Sequence, residues 1–307
     1  MGRPASPVPD PRDVDPIVVK RAFGRAARSY DAAAVLQREI GRRMLARLDV
    51  VKLQPGAVLD AGCGTGEGSL ELAARYPNAQ VVGFDLAWPM VSAAGARASG
   101  SRSLYRRLVG PLIGAAGAGP KFVCADLNAL PFRGMAFDLA MSNLALQWVN
   151  DLPRAFAEMR RCLKVGGLLM FSTLGPDTLK ELRAAFAKAD AHSHVNRFID
   201  LHDIGDMLVD TGYADPVMDM EIVTLTYPTP AALMRELKAL GATNATRGRP
   251  RGLMGRGRFM RAVSELDRHA RDGRLPATFE IVYGHAWKGE PKTVGGLPVV
   301  GMPKRRG

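Results

Sequence analysis

The segment Val58-Leu-Asp-Ala-Gly-Cys-Gly-Thr-Gly66 constrains the fold of this chain more than any other part of the sequence. An apolar run leads into three glycines spaced two residues apart, and a helical pattern follows from 68 to 76. Glycine allows a sharp turn and lets the backbone approach a ligand that a Cβ would strike. The start of a helix offers amide groups without intrahelical partners. The segment therefore predicts a strand, a ligand-binding loop and a helix in direct succession.

The same alternation of strands and helices continues as far as Gly175. The predicted strands are 57–61, 80–85, 121–125, 137–142 and 168–173, and the predicted helices between them are 68–76, 89–98 and 152–163. The fourth strand is apolar on both faces, as a buried parallel strand requires. This order predicts an open, mostly parallel α/β sheet. Beyond Gly175, the predicted elements are helices at 177–189, 201–210, 229–240 and 259–270 and strands at 222–227 and 278–287.

Three acidic residues accompany the ends of successive predicted strands: Asp60, Asp85 and Asp126. Ligands bind outside the carboxyl ends of the strands in open α/β sheets, so we expect these carboxylates to cluster there. Asp60 precedes the glycines, where it would repel a phosphate but suits an ammonium or a sulfonium. Asp85 is placed to accept both ribose hydroxyls of an adenosine, and Asp126 is placed to accept the adenine amino group. The set favours an adenosyl sulfonium cofactor over a dinucleotide.

Four segments together resemble the successive motifs of class I S-adenosylmethionine-dependent methyltransferases. They are Val58 to Gly66, Gly83-Phe-Asp-Leu86, Ala125-Asp-Leu127 and Phe137-Asp-Leu139. The resemblance implies a Rossmann-like α/β fold with a mostly parallel seven-stranded sheet, helices on both faces and an inserted helical cap. It also implies S-adenosylmethionine as the cofactor. The residues expected to bind it are Gln37, Asp60, Gly62, Cys63, Gly64, Gly66, Asp85, Leu86, Met90, Asp126, Leu127 and Asn143.

The resemblance assigns these residues to different parts of the cofactor. Asp60 and the glycines from 62 to 66 hold the methionine moiety, and Asn143 faces the same end. Asp85 and Leu86 hold the ribose. Asp126 and Leu127 hold the adenine, on which Met90 packs, and Gln37 is expected to reach the methionine carboxylate. All of these roles are implications of the resemblance to the class I enzymes.

Most of the chain is similar to one family, the malonyl-acyl-carrier-protein O-methyltransferases of biotin synthesis. The most specific matching segments are Ser142-Asn-Leu-Ala-Leu-Gln-Trp148 and Gly241-Ala-Thr243, which the general class I motifs do not include. Ala22 to Tyr30, Phe171 to Leu174, Asn196 to Phe198 and Thr278 to Gly284 also match. The resemblance implies methylation of the free carboxylate of a malonyl thioester on acyl carrier protein, which begins pimeloyl synthesis.

This reaction places few demands on catalytic side chains. A carboxylate is already an ionised nucleophile, so the site needs alignment and a dry pocket and no general base. A short carboxylate is best recognised by an arginine. Arg197 is the first candidate for positioning the substrate, and Tyr30 is expected to contribute its hydroxyl. The other candidate arginines are Arg25, Arg28, Arg247 and Arg249.

Charge and composition restrict the classes of binding partner that we expect. The chain has 42 lysines and arginines against 30 acids, a net charge of +12, with the excess in 97–121, 247–261 and 304–306. This excess suits an acidic partner such as acyl carrier protein, and a solvated basic surface is the alternative. The arginine runs lack interleaved aromatic residues, so we expect no nucleic acid partner. The three cysteines have no paired spacing, and we expect neither a disulfide nor a metal site.

The sequence divides into five predicted regions. Residues 1–15 are expected to be disordered, 16–50 to form helices over the active site, and 51–175 to form the cofactor-binding core with an insertion at 99–120. Residues 176–287 are expected to form the cap and the remaining strands, and 288–307 a basic tail. The sequence contains neither an apolar run of membrane-spanning length nor a secretory signal. We therefore expect a cytoplasmic protein that does not bind membranes.

Two alternative functions stay open at this point. Val149-Asn-Asp-Leu-Pro153 and Leu275-Pro-Ala-Thr278 also resemble an assembly factor of mitochondrial complex I that hydroxylates an arginine of a partner protein. Another small-molecule methyltransferase is the second alternative. Asn196-Arg-Phe198 and Gly241-Ala-Thr243 favour the biotin enzyme.

Overall fold

The computed structural model describes residues 10–108, 119–249, 252, 254–290, 293–294 and 297–298. The helices within this part of the chain are α1 (Pro16–Ala26), α2 (Tyr30–Ala33), α3 (Val35–Arg47), α4 (Glu67–Arg75), α5 (Trp88–Leu108), α6 (Leu152–Cys162), α7 (Lys180–Ala187), α8 (Leu201–Asp210), α9 (Pro230–Ala239) and α10 (Arg256–Asp267). The strands are β1 (Ala57–Ala61), β2 (Gln80–Asp85), β3 (Lys121–Cys124), β4 (Phe137–Asn143), β5 (Leu163–Leu174), β6 (Ala214–Tyr227), β7 (Leu275–Trp287), β8 (Thr293–Val294) and β9 (Leu297–Pro298).

Seven of these strands form one mixed sheet in the order β3-β2-β1-β4-β5-β7-β6. The first five pair in parallel, whereas β7 is antiparallel to both β5 and β6. The sheet order reverses at β1, where one crossover leads to β2 and the neighbouring strand on the other side is β4. Ligands bind at such a switch point in open α/β sheets. The predicted Rossmann-like class I fold is confirmed.

Local sequence signals explain where several helices begin. Asp15 caps α1 by accepting a hydrogen bond from the Ile17 amide at 3.0 Å, and Pro16 occupies the first turn. Asp151 caps α6 by accepting from the amide of Arg154 at 3.1 Å. Aspartate at the cap satisfies an amide that the helix leaves unpaired, and proline in the first turn costs no helical hydrogen bond.

The apolar side chains form two cores, one on each face of the sheet. Residues at successive positions of a strand belong to different cores. Val58 of β1 belongs to the same core as α3 and α4 residues, whereas Leu59 belongs to the core that contains α6 and α8 residues. Leu168 and Leu169 of β5 divide between the two cores in the same way. Successive side chains of a strand point to opposite faces, so a sheet buried on both sides requires apolar residues at both parities.

The helical cap comes from three places in the chain. The first is the N-terminal segment with α1 and α2, and the second is α7, which follows β5. The third is the connection from β6 to β7, which contains α9 and α10. α10 packs on α7, and α2 contacts α9. In α2, Asp31 accepts a hydrogen bond from the Thr65 hydroxyl of the glycine loop, so the cap lies over the same end of the sheet as that loop.

Three element boundaries differ from the sequence-based predictions by five residues or more. α5 continues ten residues past the expected end at 98, so the first part of the predicted insertion at 99–120 extends this helix. β6 begins at Ala214 and not at Ile222. β5 begins at Leu163, directly after α6, although Lys164 to Gly167 was expected to form a turn. The register shift between Phe137 and Leu139 absorbs these extra residues in the pairing with β4.

Several predicted regions lie wholly or partly outside the described residues. They are residues 1–9 of the expected disordered N-terminus, residues 109–118 of the expected insertion, and most of the expected basic tail from 288 to 307. Among the helices that the structure describes, none has the length and apolar character needed to cross a bilayer.

The contact between β5 and β7 gives a test of the fold. Gly284 pairs with Phe171, and a Cβ added to Gly284 would overlap the Phe171 ring. We expect Gly284→Ala to lower the free energy of unfolding by about 1–3 kcal/mol, because well-packed cores resist added atoms. The measurement is urea-induced unfolding. Gly95→Ala in α5 is the matched control, because its Cβ would enter open space and should add up to about 1 kcal/mol. Equal effects of the two substitutions would contradict the packing.

Candidate active site

The glycine loop between β1 and α4 has a backbone that favours glycine at three positions. Gly62, Gly64 and Gly66 have φ values of +78°, +54° and +83°, in the left-handed region that side chains with a Cβ rarely adopt. The amides of Gly62 and Cys63 both donate to the carbonyl oxygen of Phe84 at 2.9 Å. The loop is thereby fixed to the end of β2.

Two of the three glycines are also required by close packing. A Cβ on Gly62 would collide with the Cβ of Ala145, and a Cβ on Gly66 would lie 2.7 Å from the Cβ of Ala94. At Gly64 the nearest atom to an added Cβ would be Cε1 of Tyr30, at 3.8 Å. Gly62 and Gly64 line the larger of two cavities that adjoin the loop, here named the large cleft.

Asp85 joins the glycine loop to the residues that follow β2. Its Oδ2 accepts a hydrogen bond from the Gly64 amide at 3.1 Å, and its Oδ1 accepts from the Ala87 amide at 2.8 Å. Burial raises the pKa of Asp85 above its ordinary value, although hydrogen bonds from the amides of Ala87, Gly64 and Leu86 act in the opposite direction. The carboxylate is held in one orientation at the rim of the cleft, with lone pairs left for a ligand.

Asp60 is the most deeply buried acid of the site, with 5% of its surface exposed. Burial raises its pKa to about 6, although the Ser69 hydroxyl lowers it by donating to Oδ2 at 2.6 Å. The negative charge of Asp85 adds to the increase. Asp60 is therefore a carboxylate at neutral pH that no cation of the protein neutralises by an ion pair among the described residues. A cationic ligand group would stabilise it.

The large cleft, with a volume of about 430 Å³, lies beside the glycine loop and the end of β2. Met90 and Leu127 are buried in its wall. At its far end Asp126 accepts a hydrogen bond from the Asn128 amide at 2.8 Å. The side-chain Oδ1 of Asn128 is buried without a hydrogen-bond partner. This end of the cleft therefore presents oxygen acceptors that a ligand amino group would satisfy.

The small cavity, with a volume of about 70 Å³, lies on the other side of the glycine loop. Gln37, Asp60 and Asn143 line it. Asn143 donates from Nδ2 to the Gln37 carbonyl at 2.8 Å and accepts from the Ser172 hydroxyl at 2.8 Å. Gln37 Oε1 is buried and has no hydrogen-bond partner. The cavity thus contains a carboxylate and an unsatisfied acceptor, which suits an ammonium group.

The apolar cavity, with a volume of about 240 Å³, lies under the helical cap. Its wall is mostly apolar, and the residues that form it include Phe23, Leu144, Trp148, Leu179, Leu182, Phe186 and Phe198. Phe23 of α1 meets Trp148 edge to face, with ring centroids 5.1 Å apart. The wall also contains polar and charged residues, which are Tyr30, Gln37, Gln147, His194, Asn196, Glu236, Lys238, Thr243 and Asn244. Such a cavity suits a small acyl group.

Tyr30 is the residue at which the large cleft, the small cavity and the apolar cavity meet, because it lines all three. Burial raises its pKa above the ordinary value, and the carboxylates of Asp85, Asp31 and Glu67 raise it further. The next residue, Asp31, accepts a hydrogen bond from the Thr65 hydroxyl at 2.5 Å and pairs with Arg97. α2 is thereby fastened to the glycine loop and to α5.

The structure does not bring Arg197 into these cavities. Arg197 is exposed and lines a separate outer groove of about 520 Å³, whereas its neighbours Asn196 and Phe198 also reach the apolar cavity. Of the other candidate arginines, Arg25, Arg28, Arg247 and Arg249, none lines the large cleft, the small cavity or the apolar cavity. The geometry therefore gives no support to any of these five arginines as the group that holds the substrate carboxylate.

The other residues expected from the sequence surround the glycine loop. Those that line the large cleft or the small cavity are Tyr30, Gln37, Asp60, Gly62, Cys63, Gly64, Asp85, Leu86, Met90, Asp126, Leu127 and Asn143. Gly66 lies behind them, against α5. Within the described part of the chain, no group of three or more His, Cys, Asp or Glu side chains could hold a metal ion.

Sequence reasoning did not identify four residues that shape the site. Phe23 and Trp148 separate the large cleft from the apolar cavity and line both. Asn128 supplies the unpartnered oxygen near Asp126. Leu144, between the two cavities, has a φ of +49°, which is costly for a residue with a Cβ. Its amide bonds to the Ser172 carbonyl at 3.1 Å. Of these four residues, only Asn128 could have been identified from the local sequence, because it lies two residues after Asp126.

Comparisons with known proteins agree with this geometry. A family model described as a methyltransferase domain matches residues 59–171. A malonyl-acyl-carrier-protein O-methyltransferase of Gallionella capsiferriformans is 52% identical over 91% of this chain and 93% of its own length. The enzyme of the same name from a Methylovorus species is 53% identical over 90% of each chain.

Solved structures show the same fold at low sequence identity. A phosphoethanolamine N-methyltransferase of Haemonchus contortus in complex with S-adenosyl-L-methionine superposes with a TM-score of 0.53 and 19% identity. The match covers 87% of this chain and 57% of that enzyme. Identity above one half over nine tenths of the length shows more than a shared fold. The chain belongs to the malonyl-acyl-carrier-protein O-methyltransferase family, whose members depend on S-adenosylmethionine.

Proposed function

We propose that this protein transfers a methyl group from S-adenosylmethionine to the free carboxylate of a malonyl thioester on acyl carrier protein. The observation that carries the proposal is the junction at Tyr30, where a polar cleft, a small cavity with a buried acid and an apolar cavity meet. Relatives that share half of the sequence have the name of this reaction. Their name favours methyl transfer over the hydroxylation of an arginine.

The adenosine part of the cofactor fits the large cleft. Asp85 would accept hydrogen bonds from the two ribose hydroxyls, with Leu86 beside the sugar. Met90 and Leu127 would pack on the adenine ring. The unpartnered Asn128 oxygen and the Asp126 carboxylate offer acceptors to the exocyclic amino group. A buried acceptor left without a partner is costly, which supports the presence of a ligand donor here.

The methionine part of the cofactor fits the small cavity. Asp60 and the unpartnered Gln37 oxygen would accept hydrogen bonds from its ammonium group. The loop from Gly62 to Gly66, including Cys63, brings backbone amides close to the ligand, as glycines allow. Asn143, oriented by Ser172, lines both the small cavity and the large cleft. Gln37 Nε2 is free to donate to the methionine carboxylate, the role expected from the sequence.

The reaction needs positioning more than acid–base catalysis. When bound, S-adenosylmethionine supplies a methyl group that its sulfonium has already activated. The malonyl carboxylate, with an ordinary pKa of about 4, is ionised at neutral pH, so this chain need not remove a proton. The apolar cavity would strip water from the carboxylate and direct it toward Tyr30. The protein's contribution is therefore alignment in a dry site.

Tyr30 is the substrate-positioning residue that the structure supports best. Its raised pKa keeps the hydroxyl protonated at neutral pH, so it can donate a hydrogen bond to the acceptor carboxylate. A neutral donor orients the carboxylate without forming the tight ion pair that an arginine would form. Arg197 would act here only after a change in the segment from 193 to 199, because its side chain lines the outer groove.

The reaction itself can be tested directly. The purified protein, supplied with S-adenosylmethionine labelled in the methyl group and with malonyl-acyl carrier protein, should form a methyl ester on the malonyl group. The label should be released by mild alkali, which hydrolyses esters, and should be absent with acetyl-acyl carrier protein, which has no free carboxylate. Binding of the cofactor without transfer to the malonyl group would contradict the proposal.

Asp85→Ala tests the position of the ribose. Two hydrogen bonds to a charged acceptor are lost, each worth about 1.5–3 kcal/mol, so we expect the dissociation constant for S-adenosylmethionine to rise at least about a hundredfold. Isothermal titration calorimetry measures this constant. Asp49→Ala is the matched control, because Asp49 is exposed and pairs with Arg75 away from the cavities. Unchanged affinity in a folded Asp85→Ala variant would rule out the ribose assignment.

Asp60→Asn tests how much the buried Asp60 carboxylate lowers the free energy of unfolding. The pKa of Asp60 is about 6 in the folded protein against an ordinary value of 3.8, so the folded state binds more protons between these values. This group therefore lowers stability as pH rises, and its cost is fully present above pH 6. We expect Asp60→Asn to raise the free energy of unfolding by about 3 kcal/mol at pH 7.5 and by about half of that at pH 5.

Urea-induced unfolding of the cofactor-free protein at the two pH values checks this expectation. Asp138→Asn is the opposite control. Burial disfavours its charge, but hydrogen bonds from Lys164 and from the amides of Gly56 and Ala57 lower its pKa overall, so its loss should destabilise the protein. The Asp60→Asn variant should also bind S-adenosylmethionine more weakly. A loss of stability in Asp60→Asn at pH 7.5 would refute the assigned sign.

A further inference from the structure

Six cations on α1, in the turn after it and on α9 form a basic surface, here named the α1–α9 patch. Its residues are Lys20, Arg21, Arg25, Arg28, Arg235 and Lys238, and all six are exposed. None of them forms an ion pair with any residue that the structure describes. α1 contains no acid, and the single acid of α9, Glu236, accepts a hydrogen bond from the Tyr227 hydroxyl at 2.7 Å. Six cations and one acid therefore leave a net charge of +5 on these two helices and the turn after α1.

Direct contacts hold the two parts of the patch together. The Ser29 hydroxyl, next to Arg28, donates to the Ala239 carbonyl at 2.9 Å, and Ala239 follows Lys238. A Cβ on Gly241 would lie 3.1 Å from the backbone of Ala22 and Phe23. The end of α1 and the end of α9 thus adjoin, and their relative position is fixed.

The patch borders the apolar cavity. Phe23 of α1 and Lys238 of α9 both line that cavity. The patch therefore reaches the wall of the cavity at Lys238. A ligand that enters from this side would pass between positively charged helices before reaching Tyr30.

The outer groove is the nearest competitor, but acidic residues offset part of its positive charge. Arg12 pairs with Asp10, and Arg183 donates to the carbonyls of Pro176 and Thr178. Asp200 and Asp203 line the same groove. The arginines of α10 are exposed, but none of them lines the large cleft, the small cavity or the apolar cavity. The cations of the α1–α9 patch form no ion pairs with the described residues, and the patch adjoins the apolar cavity at Lys238.

We propose that the α1–α9 patch is the docking surface for the acidic protein that carries the malonyl thioester. This inference rests on the proposed function and deepens it by locating the partner. Acidic side chains of the carrier protein would lie against the patch, and its thioester arm would enter the apolar cavity past Phe23 and Lys238. Attraction between opposite charges accelerates encounter and sets orientation, and salt weakens it.

Charge reversal on α1 tests the dock. The variant R21E/R25E/R28E changes three exposed arginines that line none of the three cavities. With malonyl-acyl carrier protein at low salt, we expect kcat/KM to fall at least about tenfold, within the range of electrostatic steering. The deficit should shrink toward 1 M salt, where the screening length is only about 3 Å. The malonyl thioester of N-acetylcysteamine, which has no protein part, should keep its wild-type kcat/KM.

The matched control is R256E/R258E/R261E, which makes the same change of charge on exposed residues of α10. We expect it to stay within about twofold of the wild type with both acceptors. Equal losses in both triple variants, or an unchanged R21E/R25E/R28E, would overturn the dock. If the wild type methylates neither acceptor, the proposed function itself fails and the dock fails with it. If it methylates only the small thioester, carrier protein is not the acceptor, and both the dock and the proposed function fail. Wild-type activity of R21E/R25E/R28E with malonyl-acyl carrier protein overturns the dock alone.

Discussion

The hydrogen bond from the Gly64 amide to the Asp85 carboxylate is the contact on which the rest of the site depends. It joins the loop after β1 to the end of β2, the two strands at the switch point of the sheet. It also fixes a charge beside backbone that glycine alone adopts without strain. The small cavity, the large cleft and the position of Tyr30 all follow from where this loop is held. Burial of Asp60 behind it adds a charge that only a bound cationic group compensates.

The strands and helices of the core could be predicted closely, because each has a local cause. β1 and β2 have the predicted bounds, since apolar runs of strand length end there at glycine or an acid. The errors also have local causes. Asp215 has a φ of +48° near the start of β6, and Pro216 follows, so this stretch has the composition of a turn although the β7 partner extends it. α5 continues through serines and glycine that are weak helix formers.

The same contrast holds for the site. Some of its residues could be predicted from the local sequence, whereas others are brought together by contacts between distant parts of the chain. The acids and glycines that line the large cleft follow directly from strand ends, so the sequence predicted them and the fold brings them together. The apolar cavity draws on α1, α7, α9 and the segment from 193 to 199, which are far apart in the chain. No local pattern shows which of their side chains point inward. Arg197 illustrates this, because both of its neighbours reach the cavity and it does not.

The long pairing of β6 with β7 has a consequence for how this family diversifies. The two strands are hydrogen-bonded from Ala214 and Trp287 at one end to Tyr227 and Leu275 at the other. The chain between them, with α9 and α10, starts and finishes at adjacent points, so its length can change at little entropic cost. A change in the connection between β6 and β7 can therefore alter the acceptor specificity. The strands and loops that bind the methyl donor need not change with it.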